Sequence, residues 1–131
     1  MRITIDTSAL IAVILNEPEK SSILDITKGA QLISPESVHW EIGNAFSAMI
    51  KRERILLKLA QQGIKEYQNI PIKFINVDIS STMILVENFK MYAYDAYLIK
   101  CAMQTDTPLL TLDKGLINIA KSIGIKVMEI K

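Results

Sequence analysis

The chain has 131 residues and a mass of 14.7 kDa, near the modal size of one domain and too short for two full ones. Half of its residues are hydrophobic, 22% are charged and mean hydropathy is +0.25, which excludes intrinsic disorder. Fifteen basic and fourteen acidic residues leave a net charge of +1, so overall charge does not announce a nucleic-acid binder.

In chain order, Ile3 and Ile5 bracket Thr4 in a short strand that ends at Asp6, and Thr7 and Ser8 offer a cap for a helix opening at Ala9. The longest apolar run, residues 9–15, has seven residues, against the ~20 needed to span a bilayer. Asp6 before this run and Asn16-Glu17-Pro18-Glu19 after it do not fit a secretory signal, so no membrane association and a cytoplasmic location are expected. A helix restarts near Pro18 and ends at Gly29, and residues 31–33 form a strand. Ser34-Pro35 reads as N-cap and first position of a helix running to about Arg52, followed by another helix over roughly 55–69. Pro71 resets the chain, and Ile72, Phe74, Ile75 and Val77 supply a third strand. Ser80-Ser81 opens a helix to about Lys90, and Tyr94-Asp95 opens one to about Gln104. A strand over 109–111 follows Pro108, then a helix over 114–122 stopped by Gly124, and a last strand over 125–130. There is no internal repeat, low-complexity tract or linker. Strands separated by helices predict an α/β fold, a three-layer α/β/α sandwich with a central, mostly parallel sheet in one domain over 1–131. In such folds ligands bind beyond the carboxyl ends of the strands.

Four acids are not explained by the hydrophobic pattern. Asp6 closes the first strand directly before a helix, and Asp113 follows the strand at 109–111 in the equivalent place; each alone also reads as a helix cap. On the helix after Pro35, Val38, Ile42, Ala45 and Met49 make the core stripe, while Ser37, Glu41 and Asn44 form a polar row beside it. Glu41 is therefore placed at the edge of the buried face, with the Asn44 amide next to it to orient it; a solvated Glu is the competing reading. Asp95 heads the apolar stripe of its own helix, with Leu98, Ile99 and Ala102 three, four and seven residues on. A carboxylate on a core face is costly unless paired, and no Lys or Arg on that face stands within four residues. Gathered at one sheet edge, the four carboxylates would repel one another without a counter-ion. Hard cations such as Mg²⁺ or Mn²⁺ choose oxygen donors of this kind, and phosphodiester hydrolysis is the chemistry they support with phosphate substrates.

Ile5-Asp6-Thr7-Ser8, Pro35 followed by Glu41-Ile42-Gly43-Asn44, Tyr94-Asp95-Ala96, and Leu110-Thr111-Leu112-Asp113 resemble, in order, the four acidic signatures of PIN-domain nucleases. In length and motif order the chain is similar to VapC-type toxins, the ribonuclease half of a toxin-antitoxin pair. The resemblance covers nearly the whole chain. It implies an endoribonuclease dependent on Mg²⁺ or Mn²⁺, with Asp6, Glu41, Asp95 and Asp113 catalytic and Thr7, Ser8, Asn44 and Thr111 supporting. The metal ligands it implies are Asp6 and Asp95, joined by Asp113 and Glu41. It further implies an RNA substrate, a homodimer, and inhibition by a small antitoxin.

From Lys51 to Lys65 the chain carries five basic residues against Glu53 alone, so Lys51, Arg52, Arg54 and Lys58 are candidate RNA contacts, with a solvated helix face as the alternative. A non-catalytic RNA-binding or scaffold module of the same fold is the competing function. A phosphoacceptor receiver domain would have adjacent acids after its first strand, where Asp6 stands alone, and no Gly-x-Gly-x-x-Gly or Walker-type motif occurs among the five glycines. The single His39 excludes a multi-histidine metal site and is expected mid-helix. Cys101, the one cysteine, reads as a buried structural thiol. Asp78 reads as a turn or cap, Tyr92, Tyr94 and Tyr97 as core or interface, and Trp40 points away from the core stripe toward a partner surface.

Overall fold

The computed structural model describes residues 1–130. Its sheet has four strands, β1 (Arg2–Ile5), β2 (Gln31–Pro35), β3 (Ile72–Ile75) and β4 (Leu109–Leu110), in the order β3-β2-β1-β4 and parallel throughout. Helices α1 (Thr7–Ile14) and α2 (Lys20–Thr27) link β1 to β2, and α3 (Ser37–Lys51) and α4 (Leu57–Gln68) link β2 to β3. Helices α5 (Ile79–Phe89) and α6 (Ala93–Thr105) lead from β3 to β4, and α7 (Lys114–Ile123) follows β4. The seven helices among the described residues flank the sheet in the expected α/β/α layering. No described helix is long and apolar enough to cross a membrane.

Strands covered on both faces lose the in-out alternation and become apolar throughout, which is why Ile3, Ile5, Ile33, Leu109 and Leu110 are all buried. Thr4 is tolerated between Ile3 and Ile5 because its hydroxyl is 2.7 Å from that of Thr107. Leu10, Val38, Ile42, Leu98 and Ile99 pack on this sheet. Phe46 joins the α3 stripe, fully buried, while Ala45 and Met49 are only half-buried. The ring of Phe46 lies against α4 at Gly63, where a Cβ would come within 2.7 Å of Phe46 Cζ and 3.2 Å of Ile14 Cγ2.

The sheet order fixes where a ligand edge forms. β2 and β3 extend the sheet to one side of β1, and β4 is added on the other, so the winding reverses between β1 and β4. Register pairs Thr4 with Leu109 and Ile5 with Leu110, and the Asp6 amide donates to Leu110 O at 3.1 Å. Asp6 and Thr111 thereby meet just past the carboxyl ends of both strands.

Three local expectations are corrected. Ser34 and Pro35 remain in β2, and α3 starts at Ser37 behind Glu36 without a side-chain cap, because Ser34 Oγ is used to donate to Ile5 O. His39 therefore stands in the first turn of α3. The helix after β1 starts at Thr7, since Asp6 is itself the cap and accepts the Ala9 amide at 3.0 Å. The last strand reduces to one parallel bridge between Leu109 and Val127. Leu109 uses its amide on Lys126 O and its carbonyl on the Met128 amide, and β4 has only two residues, leaving no ladder for a longer fifth strand to pair with. Gly124 ends α7 as expected, at φ 95°, a conformation a side chain would strain.

Candidate active site

A cavity of about 460 Å³ opens beyond the carboxyl ends of β1 and β4, and Asp6, Glu41, Asp95 and Asp113 all line it. They arrive from four elements: the β1–α1 junction, α3, the first turn of α6, and the turn from β4 into α7.

Asp6 is buried and held from three sides. Its Oδ1 accepts from Ser8 Oγ at 2.7 Å and from the Ala9 amide, and its Oδ2 accepts from Thr111 Oγ1. The two supporting hydroxyls are themselves fixed, because Ser8 Oγ accepts the Leu112 amide at 2.9 Å and Thr111 Oγ1 accepts the Asp113 amide at 3.0 Å. Of the four or so acceptor positions on a carboxylate, three are used and one on Oδ2 remains. Burial pushes the Asp6 carboxyl above its ordinary range, against the lowering effect of these hydrogen bonds, and Asp113 adds repulsion.

Glu41 is half-buried, and its Oε1 is sealed from solvent without a hydrogen-bond partner. Burial raises its carboxyl from 4.5 to about 7, helped by the negative charges of Asp6 and Asp95. Asp95, also half-buried, is raised by burial and by Asp113. Desolvation thus leads and mutual repulsion follows. No cation contributes to any of the three shifts. Asp113 is exposed and caps α7 through the Leu116 amide, so the cap reading and the cavity position hold together in one residue.

Thr7 lines the cavity with a buried hydroxyl that faces the Glu41 carboxyl and lowers it, short of a well-formed hydrogen bond. Asn44 does not reach the cavity: it is exposed, makes no hydrogen bond to Glu41, and Ala45 occupies the wall instead. The α3 stripe runs through Phe46, which turns Ala45 toward the cavity and Asn44 away from it.

One acid escaped the sequence reading. Glu17 lines the same cavity, following Asn16, which takes a left-handed φ of 56°. Thr7 and Ile11, one turn apart on α1, face the cavity, and the left-handed turn at Asn16 brings Glu17 to the same wall. In the sequence it figured only in the polar stretch Asn16-Glu17-Pro18-Glu19 that follows the apolar run.

The profile of the PIN domain family matches residues 3–122. The chain belongs to the PIN domain family. This PIN domain shares its fold with solved structures of low sequence identity. PAE2754 of Pyrobaculum aerophilum is 18% identical with a TM-score of 0.71, over 91% of this chain and 79% of that one. VapBC2 of Rickettsia felis, solved with a DNA fragment from its promoter, is 16% identical with a TM-score of 0.67, over 98% of each chain. VapC20 of Mycobacterium tuberculosis, described as a toxin cleaving the sarcin-ricin loop, is 12% identical with a TM-score of 0.66, over 97% of this chain and 98% of that one. No curated protein sequence matches the chain significantly.

Elsewhere in the PIN domain, Lys51, Arg52, Arg54 and Lys58 are exposed around the α3–α4 connection and none lines the acid cavity. Asp78 caps α5 by accepting the Ser81 amide, and the Ser81 hydroxyl together with that amide lowers its carboxyl; it stays outside the cavity. Cys101 is buried, its thiol pushed up to about 11 by desolvation, and is no nucleophile at neutral pH. His39 Nδ1 is 3.3 Å from the Tyr67 hydroxyl.

Proposed function

We propose that this PIN domain is a metal-dependent endoribonuclease and the toxin of a toxin-antitoxin pair. The observation that carries the reading is four carboxylates from four separate elements around one cavity, three of them raised, with no basic side chain to compensate them. Such an arrangement is costly in a fold that gains nothing from it and suits a site that receives a cation with its substrate.

The donor set fits a hard divalent cation, because it is all oxygen, Oε1 of Glu41 is orphaned and Asp6 keeps one free acceptor position. Among the described residues no three of these side chains form a ready-made metal cage, which agrees with Mg²⁺ or Mn²⁺ held by one or two carboxylates together with waters and substrate phosphate oxygens. Asp6 and Asp95 would hold the ion, with Asp113 and Glu41 on the same cavity wall beside it. When bound, it polarises the phosphate and activates a water.

The chain's own residues supply the rest. Ser8 and Thr111 lock the Asp6 carboxylate in one orientation. Glu41, with a carboxyl raised to about 7, would give up its proton as the ion enters and then offer Oε1 to it. Thr7 Oγ1, at the N-terminus of α1, faces Glu41 and favours its charged form. For the antitoxin, the groove between α3 and α4, about 680 Å³ and floored by Phe46, Ile50, Leu57 and Ile64 with Lys51 and Lys65 on its rim, provides an apolar surface.

Incubation with total RNA and Mg²⁺ or Mn²⁺ should give products that vanish in EDTA, and Asp6→Asn and Asp95→Asn should cut at least ten-fold more slowly. Cleavage that persists in EDTA, or variants as fast as wild type, would refute the mechanism. RNA bound but never cut would support the scaffold reading instead. Light scattering at micromolar concentration should report a homodimer or a co-purified small partner; a strict monomer without one would refute the assembly.

A further inference from the structure

A second cavity, of about 250 Å³, lies against the same two helices that carry Glu41 and Asp95. It is lined by Trp40 and Ser37 from α3, Tyr94 and Tyr97 from α6, Ile75 at the end of β3, and Ile79 from α5. Trp40 and Glu41 are adjacent residues, and so are Tyr94 and Asp95. Successive helix positions are turned by about 100°, so on each helix the row facing this cavity, Ser37 and Trp40 or Tyr94 and Tyr97, runs beside the row facing the acid cavity, Glu41 and Ala45 or Asp95 and Leu98. The two cavities therefore adjoin at the carboxyl edge of the sheet.

The lining chemistry limits what can enter. Trp40 is 69% and Tyr94 51% exposed, an unusual cost for large aromatic rings. His39 braces the Trp40 ring edge-on at 5.0 Å, and Tyr94 and Tyr97 meet edge-on at 6.1 Å. The floor is aliphatic, from Ile75, Val77 and Ile79, and Ser37 Oγ is buried without a hydrogen-bond partner. No Lys or Arg lines the cavity, and its one charged residue is Glu36. A phosphate or an acidic segment is thus disfavoured, and the fitting ligand is flat, uncharged and polar at its edge.

We propose that this cavity receives one unpaired nucleobase of the strand whose phosphate lies in the acid cavity, stacked on Trp40 and Tyr94 with Ser37 bonding its edge. The inference rests on RNA being the substrate and adds that cleavage falls beside a base extruded from pairing.

Trp40 is the single tryptophan, so its fluorescence reports the cavity directly. In the Asp95→Asn protein with Mg²⁺, a short single-stranded RNA should quench Trp40 emission, and the same strand annealed to its complement should not. Trp40→Ala should weaken single-strand binding about ten-fold without changing its salt dependence, and Trp40→Phe should retain most of the affinity. Tyr94→Ala should act in the same direction. Unchanged emission with end-labelled strand bound, as read by anisotropy, would overturn the proposal. So would equal losses in Trp40→Ala and Trp40→Phe accompanied by dissociation of a dimer in sedimentation, which would make this face a contact between copies. Wild type that cuts RNA with Trp40 emission unchanged removes the base subsite and leaves the nuclease standing; neither binding nor cutting removes both.

Discussion

Glu41→Gln isolates the electrostatic cost of the acid cavity. A carboxyl raised from 4.5 to about 7 by folding corresponds to about 3 kcal/mol against the charged form at ~1.4 kcal/mol per pH unit. Solvent screening of a half-buried group brings this to roughly 1–2 kcal/mol. Because the folded value lies above the unfolded one, the folded state binds more protons between the two, and stability falls as pH rises through that window. The cost is fully present above about pH 7 and is relieved as pH falls toward 4.5. Asp6 and Asp95, shifted in the same direction, add to it. In EDTA, wild type should therefore melt higher at pH 5.5 than at pH 8, and Glu41→Gln should gain at pH 8 roughly 3–10 °C, taking about 3–5 °C per kcal/mol for a chain of this size. The variant should also show a flatter pH profile. Thermal melts monitored by circular dichroism at pH 5.5, 6.5, 7.5 and 8 are the assay. A wild-type melting temperature flat over this range, together with no gain for Glu41→Gln at pH 8, would refute the argument that these acids crowd one desolvated site.

Thr111→Val removes the hydroxyl that donates to Asp6 Oδ2 and accepts the Asp113 amide, so it should cost about 1–3 kcal/mol in chemical unfolding and raise the Asp6 carboxyl further. Gly63→Ala presses a methyl into the Phe46 ring and should destabilise by about 1–3 kcal/mol, although alanine is the better helix former; a gain would mean that α3 and α4 separate easily. Replacing Lys51 and Arg52 by Ala should flatten the salt dependence of RNA binding by about one unit of slope per lost phosphate contact, and an unchanged slope would identify a merely solvated face. Mn²⁺ should raise the wild-type melting temperature at pH 7 in proportion to the logarithm of its concentration and do so less for Asp95→Asn, measured against EDTA controls.

The alternation of short β-rich runs with amphipathic stretches made the layered parallel sheet readable, and Asp6, Asp95 and Asp113 stood out because each opens a helix where the apolar pattern would not need an acid. What escaped depended on contacts distant in sequence. Ser34-Pro35 carries a convincing helix-start signal, but the Ser34 hydroxyl is drawn to the β1 backbone and the strand continues. Residues 125–130 are as strand-like as β1, yet β4 is too short to pair with more than one of them. Helical spacing alone gave Ala45 to the core and Asn44 to the site; packing of Phe46 against Gly63 rotates that assignment by a residue. Glu17 was invisible because it follows a left-handed Asn16, where no periodic rule applies.

The Asp6–Thr111 contact joins residues 105 positions apart, and it rests on β4 pairing with β1 on the side away from β2 and β3. During synthesis at about 5–20 residues per second, Asp6 emerges several seconds to some twenty seconds before Thr111. A nascent chain can assemble β1, α1 and the first crossovers in that interval, but its Asp6 carboxylate lacks the Thr111 hydroxyl and the acids of α6 and α7 until the last third of the chain is made. The order of translation thus delays the complete acid cluster until β4 and the start of α7 have been made, and the non-local β1–β4 pairing carries a loop-closure cost that local pairings do not.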